Sequence, residues 1–549
     1  MRTDVTLASE GVCVGGLRLA RVGRKILTDR RPVPRMVQMT RMDRRQFGAL
    51  AGLTAGAVAL PGARAVAGAP DPNAPKHQLR AMWIASVVNI DWPSATGLPV
   101  QQQKDELVAW LDLANRLRFN AVMLQVRPTA DAFWPSPYEP WSQYLTGTQG
   151  VDPGYDPLKF AVAAAHERNI ELHAWFNPYR VSMQTDPAQL VPTHPARLHP
   201  DWIFPYGGKL YYNPGIPQVR RFVEKAILDA AIRYDIDGVH FDDYFYPYPV
   251  AGQTLPDADT FAQYGAGWDT IEDWRRNNIS LLIREMNERI HEIKPWLKFG
   301  VSPFGIWRNA AADPAGSDTG GTQSYDANFA DTRKWVKEQW LDYINPQIYW
   351  NIGLAVADYG KLAPWWSDQV SGTRVAFYAG EATYKVGVPT QPAAWQDPAE
   401  LSKHLTLDQG LNAAGNVYFS AKDVRNDVIG AMSRVVADHY QHPALTPEMP
   451  HLDRHVPPAP EFVRARAVSG GVRLTWAGGG TSYAIYRFDG TKRPGTADFA
   501  DATSLLATTR SHGYTDTTAV GGQAYTYAIT AISRVSLESR PAVARPVTA

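Results

Sequence analysis

An alternation of short apolar segments with longer amphipathic ones runs along residues 79–440 and limits the possible folds more than any other feature of the chain. In the longer segments apolar residues recur at helical spacing, as Leu107, Val108 and Leu111 do. The predicted strands are 80–85, 121–126, 170–176, 238–241, 298–301, 343–349, 374–379 and 416–419. The clearest predicted helices are 101–117, 156–168, 217–234 and 271–293. Eight strands alternating with helices predict an α/β fold, a (β/α)₈ barrel of the TIM type with its helices outside.

The alternative for such a pattern is an open, doubly wound sheet. That fold would need a glycine-rich phosphate-binding loop between an early strand and the helix after it. Gly320 and Gly321 follow no predicted strand and open no predicted helix, so the barrel is favoured.

Polar and aromatic residues gather just after the predicted strands, where a (β/α)₈ barrel builds its active site. The fourth strand ends in Phe241, Asp242 and Asp243. Strand alternation puts Val239 and Phe241 on one side and Asp242 on the other, which should face the barrel mouth. By the same alternation Asp243 faces away or enters the following loop. Glycoside hydrolysis usually needs two carboxyl groups across the scissile bond, and Asp242 is the first candidate catalytic group.

The second carboxyl group is less well defined by the sequence. Glu381, after the seventh strand, is the first candidate for the general acid, and Asp243 is a further candidate catalytic residue. Asp91 and Asp131 remain open, because each could instead form a salt bridge with an arginine of the same region.

Candidate substrate-binding residues follow the strands in the same way. Aromatic rings stack on the C–H faces of sugars, and amide, tyrosine and arginine groups bind hydroxyls or orient a carboxylate. The candidates are Asp91, Trp92, Arg127, Asn177, Tyr179, Arg180, Trp307, Gln347, Tyr349 and Trp350. Trp134 and Trp141 are further possible stacking platforms.

Composition excludes several other classes of function. The net charge of +1 provides no field for nucleic acid or an anionic membrane. The one cysteine, Cys13, lies in the leader, so no disulfide or thiol nucleophile is expected in the mature protein. His173 and His240 stand alone within strands and are expected to be core groups, so neither a metal nor a cofactor is predicted. A glycan is the expected partner, and the oligomeric state stays open.

The first 67 residues have the pattern of a twin-arginine export signal. Arg44 and Arg45 precede an apolar run, and a small-residue cleavage box follows at residues 65–67. The run is too short to span a bilayer, which takes about 20 residues. Export to the periplasm or the extracellular space is therefore expected.

The C-terminal part changes to a period of two. A proline-rich stretch, residues 457–460, closes a predicted linker over residues 441–460, after which Val472, Leu474 and Trp476 alternate with polar residues. Residues 461–549 resemble a fibronectin type III domain, a small β-sandwich. Because the linker looks stiff and exposed, few contacts are expected to cross this boundary.

Seven motifs in order carry a resemblance to a known family. They are residues 80–85 with 91–93, 125–127, 175–180, 213–215, 237–244, 302–308 and 346–350. Together they resemble the glycosyl-hydrolase-like family, formerly a domain of unknown function, that includes the bacterial glycosidase of denuded peptidoglycan, the glycan strands without stem peptides. The resemblance implies a barrel related to amylase-type enzymes and a cell-envelope glycan as substrate.

The resemblance also implies roles for two positions. In amylase-type barrels an aspartate at the end of strand four is the nucleophile, and Asp242 matches it. A glutamate after strand five is the acid there, but residues 302–305 offer no carboxylate. A non-catalytic glycan-binding protein or a transglycosylase on the same scaffold therefore remains the alternative.

Overall fold

The computed structural model describes residue 71 and residues 73–549. The predicted export signal, with Arg44, Arg45 and Cys13, lies outside the described residues. The described residues form one compact unit, which contains both the barrel and the C-terminal domain.

Eight parallel strands close into a barrel, which confirms the predicted fold. The strands are β1 (Leu79–Ile84), β2 (Ala121–Arg127), β3 (Glu171–Phe176), β4 (Gly238–Phe241), β5 (Lys298–Val301), β6 (Tyr343–Ile344), β7 (Ala376–Glu381) and β8 (Ala413–Tyr418). Each pairs with its neighbours in chain order, and β8 pairs with β1. The strands are short and buried, as expected where helices cover the outside of a parallel sheet.

One helix of the outer layer follows each strand. These helices are α1 (Val100–Arg116), α2 (Pro157–Glu167), α3 (Pro217–Arg233), α4 (Ile271–Ile293), α5 (Thr332–Lys337), α6 (Tyr359–Val370), α7 (Glu400–Asp408) and α8 (Ala431–His439). Side-chain caps start several of them: Asp156 accepts from the Lys159 amide (3.0 Å) and Thr270 from the Asp273 amide (3.1 Å). No helix within the described residues is long and apolar enough to cross a membrane.

Shorter elements decorate the loops. Short α-helical turns are Gln143–Thr146, Pro195–Leu198, Ala258–Tyr264, Ser324–Ala327 and Ala421–Asn426. Turns of 3-10 helix are Val87–Asn89, Pro187–Gln189, Pro200–Trp202, Thr383–Lys385, Ala393–Gln396, Val428–Gly430 and Thr496–Phe499. A three-stranded sheet of Arg180–Ser182, Ile203–Tyr206 and Lys209–Tyr212 lies between β3 and α3.

Two strand bounds differ from the prediction in a way that affects the site. The sixth strand ends at Ile344 rather than at residue 349, because Pro346 has no amide hydrogen to continue the ladder. The seventh begins at Ala376 rather than at residue 374 and continues through Glu381. Glu381 is therefore a strand residue, not a loop residue.

Inside the barrel, buried histidines bond to aromatic side chains. Trp83 donates from Nε1 to Nε2 of His240 (3.1 Å), and the Tyr343 hydroxyl lies 3.1 Å from His240 Nδ1 and 2.9 Å from His173 Nδ1. Burial lowers the pKa of His240 well below its ordinary value, so its imidazole is neutral. Both histidines are partnered core groups, as their positions within strands predicted.

The C-terminal domain is an antiparallel sandwich of the fibronectin type III kind, as predicted. Its strands are β9 (Glu461–Val468), β10 (Gly471–Ala477), β11 (Ser482–Asp489), β12 (Leu505–Thr509), β13 (Gly513–Asp516), β14 (Ala524–Ile532), β15 (Ala542–Val543) and β16 (Val547–Thr548). One sheet has the order β9-β10-β13 and the other β12-β11-β14-β15, with β16 also on β14. Trp476 and Tyr527 are buried between the sheets.

The sandwich packs closely against the N-terminal end of the barrel, so the expectation of few contacts across the boundary is wrong. Val535 and Leu537 belong to the same apolar cluster as Leu79 at the start of β1. Arg534 forms an ion pair with Asp235 (2.7 Å). The predicted linker takes part, since it contributes Met449 to that cluster and pairs its backbone with residues before β1. The end of the barrel opposite the site is thereby closed.

Candidate active site

The candidate site lies where β4 ends, at the C-terminal face of the barrel. Val239 and Phe241 pack into the core between strands and helices, and His240 points inward. Asp242 continues the inward alternation and is 7 % exposed. The sequence-based orientation of this carboxylate agrees with the structure.

Side-chain amides that follow two other strands of the barrel hold the Asp242 carboxylate. Asn177, after β3, donates from Nδ2 to Oδ2 (3.1 Å), and Gln347, after β6, donates from Nε2 to Oδ1 (3.4 Å). The amide of Asp243 also donates to Oδ1 (2.8 Å). Gln125 on β2 orients Asn177 through a 2.6 Å bond to its Oδ1. Hydrogen bonds of this kind stabilise a charged carboxylate.

Asp243 enters the loop after β4, which is one of the two expected placements, and its side chain turns toward Asp242. Its carboxyl group interacts directly with that of Asp242, and its Oδ2 accepts from the Tyr248 hydroxyl. Its Oδ1 is buried without a partner among the described residues. Burial, and then the charge of Asp242, raise the pKa of Asp243 well above its ordinary value. Alternation fails here because the strand ends at Phe241 and the chain leaves the extended conformation.

Aromatic residues after β4 lie beside the carboxyl groups of Asp242 and Asp243. Tyr244 and Tyr248 are half-buried, and their rings meet edge-on with centroids 5.7 Å apart. The Arg180 guanidinium lies 4.9 Å from the centre of the Tyr244 ring. Tyr248 was not anticipated, although the tyrosines at positions 244, 246 and 248 were a visible signal in the sequence.

A second group of half-buried residues follows β5, β6 and β7, and its Phe304 meets the Tyr248 ring edge-on with centroids 6.1 Å apart. Tyr349 and Trp350 are only partly covered, and Trp350 packs edge-on against Phe304 with centroids 5.4 Å apart. Lys385 donates from Nζ to the carbonyl oxygen of Tyr349 (2.7 Å). Burial lowers the pKa of Lys385 to about 8. Among the described residues, Trp350 and Tyr349 are suited to stack on a sugar ring.

Glu381 points away from this pair, into the helix layer. It shares strand parity with Phe377 and Ala379, which pack in the helix-facing core. Nδ1 of His404, on α7, lies 2.8 Å from Oε2 of Glu381. The Tyr359 hydroxyl donates to Oε1 of Glu381 (3.0 Å). The structure thus does not bring Glu381 to Asp242. The hydrogen-bond partners of Glu381 differ from those of Asp242 and Asp243.

The other two candidate carboxylates, Asp91 and Asp131, accept hydrogen bonds from residues of the loops after β1, β2 and β8. Asp91 accepts from the Ala85 amide (2.8 Å) and the Ser420 hydroxyl (2.8 Å), which ties the end of β1 to the end of β8. Burial raises its pKa to about 6. Asp131 accepts from the amide of Thr129 (3.1 Å), and burial raises its pKa to about 7.

Several predicted substrate-binding residues are buried in structural contacts. Trp92 is fully buried and donates to the Gln103 carbonyl (2.7 Å). Arg127 forms a two-point ion pair with Glu139 at 2.6 and 2.5 Å. Tyr179 is fully buried, and Trp134 likewise lies in the core.

Trp307 is also largely covered. It is 5 % exposed, donates to Asp331 (3.0 Å) and stacks on Trp365 with centroids 6.2 Å apart. The predicted residues that meet around Asp242 are Asn177, Gln347, Tyr349 and Asp243, with Arg180 over the ring of Tyr244. Trp350 packs on Phe304, which also contacts Tyr248.

The chain is similar to known proteins over most of its length. The sequence profile described as glycosyl hydrolase-like 10 matches residues 78–397. The chain is 46 % identical over 480 residues to glycosyl hydrolase YngK of Bacillus subtilis (strain 168), covering 84 % of this chain and 92 % of that protein. It is 41 % identical over 362 residues to glycosyl hydrolase DigH of Escherichia coli (strain K12), covering 62 % and 82 %.

A small part of the chain is also similar to a solved fibronectin-like structure. An Fn3-like protein from Clostridium thermocellum is 32 % identical over 17 % of this chain and 94 % of that chain, with a TM-score of 0.14. The profile spans most of the barrel and the Bacillus relative aligns over most of the sequence, so the chain belongs to the glycosyl hydrolase-like 10 family and is a glycoside hydrolase.

Proposed function

We propose that this glycoside hydrolase cleaves peptidoglycan glycan strands that have lost their stem peptides. The observation that carries the proposal is the pair of contacting carboxyl groups, Asp242 and Asp243, at the end of β4. The substrate rests on the resemblance of seven strand-end motifs to the family that includes the glycosidase of denuded peptidoglycan. Export to the periplasm or the extracellular space, which residues 1–67 predict, would bring the enzyme to that substrate.

Asp243 is the proton donor in this proposal. Two buried carboxyl groups in contact cannot both be ionised at neutral pH, and one keeps a proton. Asp242 receives hydrogen bonds from Asn177, Gln347 and a backbone amide, which favour its charged form. The proton therefore stays on Asp243, which can pass it to the oxygen of the leaving sugar.

Asp242 and Asp243 are consecutive residues whose side chains act on one another, whereas the two common mechanisms place their carboxyl groups on either side of the scissile bond. Retaining enzymes separate the two groups by about 5–5.5 Å and inverting enzymes by about 6.5–9.5 Å. Peptidoglycan sugars carry a 2-acetamido group, whose carbonyl oxygen can act as the nucleophile in substrate-assisted hydrolysis. In that reaction the acetamido oxygen attacks C1 as the C1–O bond breaks, and Asp242 takes up the amide N–H. Water then attacks C1 with Asp243 as the base, the bond from C1 to the oxazoline oxygen breaks as the nitrogen recovers its proton from Asp242, and the anomeric configuration is retained.

The test uses purified peptide-free strands and a matched set in which the acetamido groups have been removed. Mass spectrometry should show shortened acetylated strands, while the deacetylated strands stay intact. Asp243→Asn should lower turnover by about 10²–10⁴-fold, the usual contribution of a general acid. A substrate with a good leaving group should rescue Asp243→Asn, because that group needs no proton, but should rescue Asp242→Asn much less.

The pH profile provides a second readout. Because the pKa of Asp243 is raised, turnover should persist above the pH at which an ordinary aspartic acid has lost its proton. It should fall as the pH rises through that higher value. Intact strands after incubation with the folded wild-type enzyme would overturn the substrate, and equal cleavage of deacetylated strands would overturn the substrate-assisted step.

A further inference from the structure

Arg180 is a buried cation next to the site without an anionic partner. Its side chain is 4 % exposed, and its Nε donates to the carbonyl oxygen of Pro128 (3.1 Å). Within the described part of the chain no carboxylate oxygen lies within 4.0 Å of its guanidinium, and neither Nη atom has a hydrogen-bond partner. Both Nη atoms are open to solvent, so a ligand can reach them.

Of the three other buried arginines among the described residues, Arg80 donates to Gln78 and to the carbonyl oxygen of His442, and the remaining two are ion-paired. Arg127 forms a two-point ion pair with Glu139, and Arg275 forms one with Asp257. Burying a charge without a partner is costly, and such a group commonly marks a site where a ligand supplies the opposite charge. Lys385, another cation near the site, already donates to a carbonyl oxygen at 2.7 Å.

Arg180 stands next to the carboxylate pair. Its guanidinium lies over the ring of Tyr244, the residue that directly follows Asp243. The charges of Asp243, Asp242 and Arg180 all act on the Tyr244 hydroxyl, with Arg180 opposing the two carboxylates. A sugar bound at the pair would therefore carry its substituents to within reach of the Nη atoms.

We propose that Arg180 recognises a carboxylate carried by the glycan beside the scissile bond. The inference rests on the proposed function. A guanidinium binds a carboxylate through two parallel hydrogen bonds, and its two Nη atoms are available for this. In peptidoglycan the lactyl carboxylate of muramic acid is free only where the stem peptide is absent, because the peptide converts it to an uncharged amide. Arg180 would then select strands without peptides. A hexuronic acid offers the same chemistry.

The experiment measures kcat/KM for peptide-free strands whose lactyl groups are free acids and for the same strands as methyl esters. A glycan of N-acetylglucosamine and hexuronic acid forms a third arm. The wild-type enzyme should prefer the lactyl acid over the ester by about 10- to 100-fold, the usual contribution of hydrogen bonds to a charged group. Arg180→Met should bring this ratio close to one, and Arg180→Lys should restore part of it.

Arg276→Met is the matched control. Arg276 also lies over a tyrosine ring, 4.2 Å from the centre of that of Tyr325, but it is paired with Asp273 (2.6 Å). The Arg276→Met variant should have the same acid-to-ester ratio of kcat/KM as the wild type. Circular dichroism and thermal midpoints establish that each variant is folded.

The outcomes separate this inference from the proposed function. Cleavage of acid and ester at equal rates would overturn the role of Arg180 while the proposed function stands. A preference for the acid that survives in Arg180→Met would also overturn it. Cleavage of the hexuronic glycan alone would support a carboxylate site and reject peptidoglycan. Absence of cleavage in every arm would reject the proposed function itself.

Discussion

Replacing His404 with glutamine should remove a pH-dependent part of the folding stability. The imidazole is fully buried between two carboxylates, with Nδ1 2.8 Å from Glu381 and Nε2 3.4 Å from Glu400. Its ring stacks on Tyr359 with centroids 3.7 Å apart. Burial alone would lower the pKa of His404, but Glu381 and Glu400 outweigh it and raise the pKa to about 9.

The size of the effect follows from that pKa. The ordinary pKa of a histidine is 6.5, and each unit by which the pKa rises corresponds to about 1.4 kcal/mol. Protonated His404 therefore contributes about 3 kcal/mol to the free energy of unfolding. A raised pKa means that the folded protein binds the proton more tightly than the unfolded chain. The contribution is therefore fully present below pH 6.5 and is lost as the pH rises through about 9.

The assay is unfolding in urea, followed by tryptophan fluorescence at several pH values between 6 and 10. The difference in unfolding free energy between wild type and His404→Gln should shrink by about 3 kcal/mol over that range. His455→Gln, at an exposed position, is the matched control and should show no such change. A difference that stays constant with pH would refute a charged His404.

Glu381→Gln tests the same cluster from the other side. If Glu381 serves the fold, the variant loses stability, and activated substrates bring no special gain in its turnover. If it is the general acid, as the sequence suggested, turnover collapses and a good leaving group restores it.

Three further predictions follow from other parts of the molecule. Deleting residues 457–549 should lower the thermal midpoint and promote aggregation, because it uncovers the apolar base of the barrel; an unchanged midpoint in calorimetry would contradict this. Replacing Arg44 and Arg45 with lysine should leave unprocessed precursor in the cytoplasm, and normal export in cell fractionation would reject the twin-arginine signal. Gly238→Ala should cost about 1–3 kcal/mol in urea unfolding, because the new Cβ would lie 2.5 Å from Nδ1 of His173; full stability would show that this ring can move.

Local patterns in the sequence were sufficient to predict the architecture and the orientation of one candidate catalytic side chain. Periods of 3.6 and 2 arise from backbone geometry and need no knowledge of distant contacts. They predicted the eight strands and the (β/α)₈ barrel, and they pointed Asp242 inward. The same parity, applied to the true bounds of β7, would have pointed Glu381 into the helix layer with Phe377 and Ala379.

Tertiary structure decided what depends on residues far apart in the chain. Asp243 turns back because the strand ends at Phe241, and its raised pKa comes from burial and from the charge of Asp242. Arg127 meets Glu139, whereas Arg180 meets no carboxylate within the described residues, and no local pattern separates these two arginines. No sequence pattern indicated the contact between the sandwich and the barrel either. Pairing and burial are set by which surfaces meet once the barrel has closed, and the spacing of residues along the chain does not contain that information.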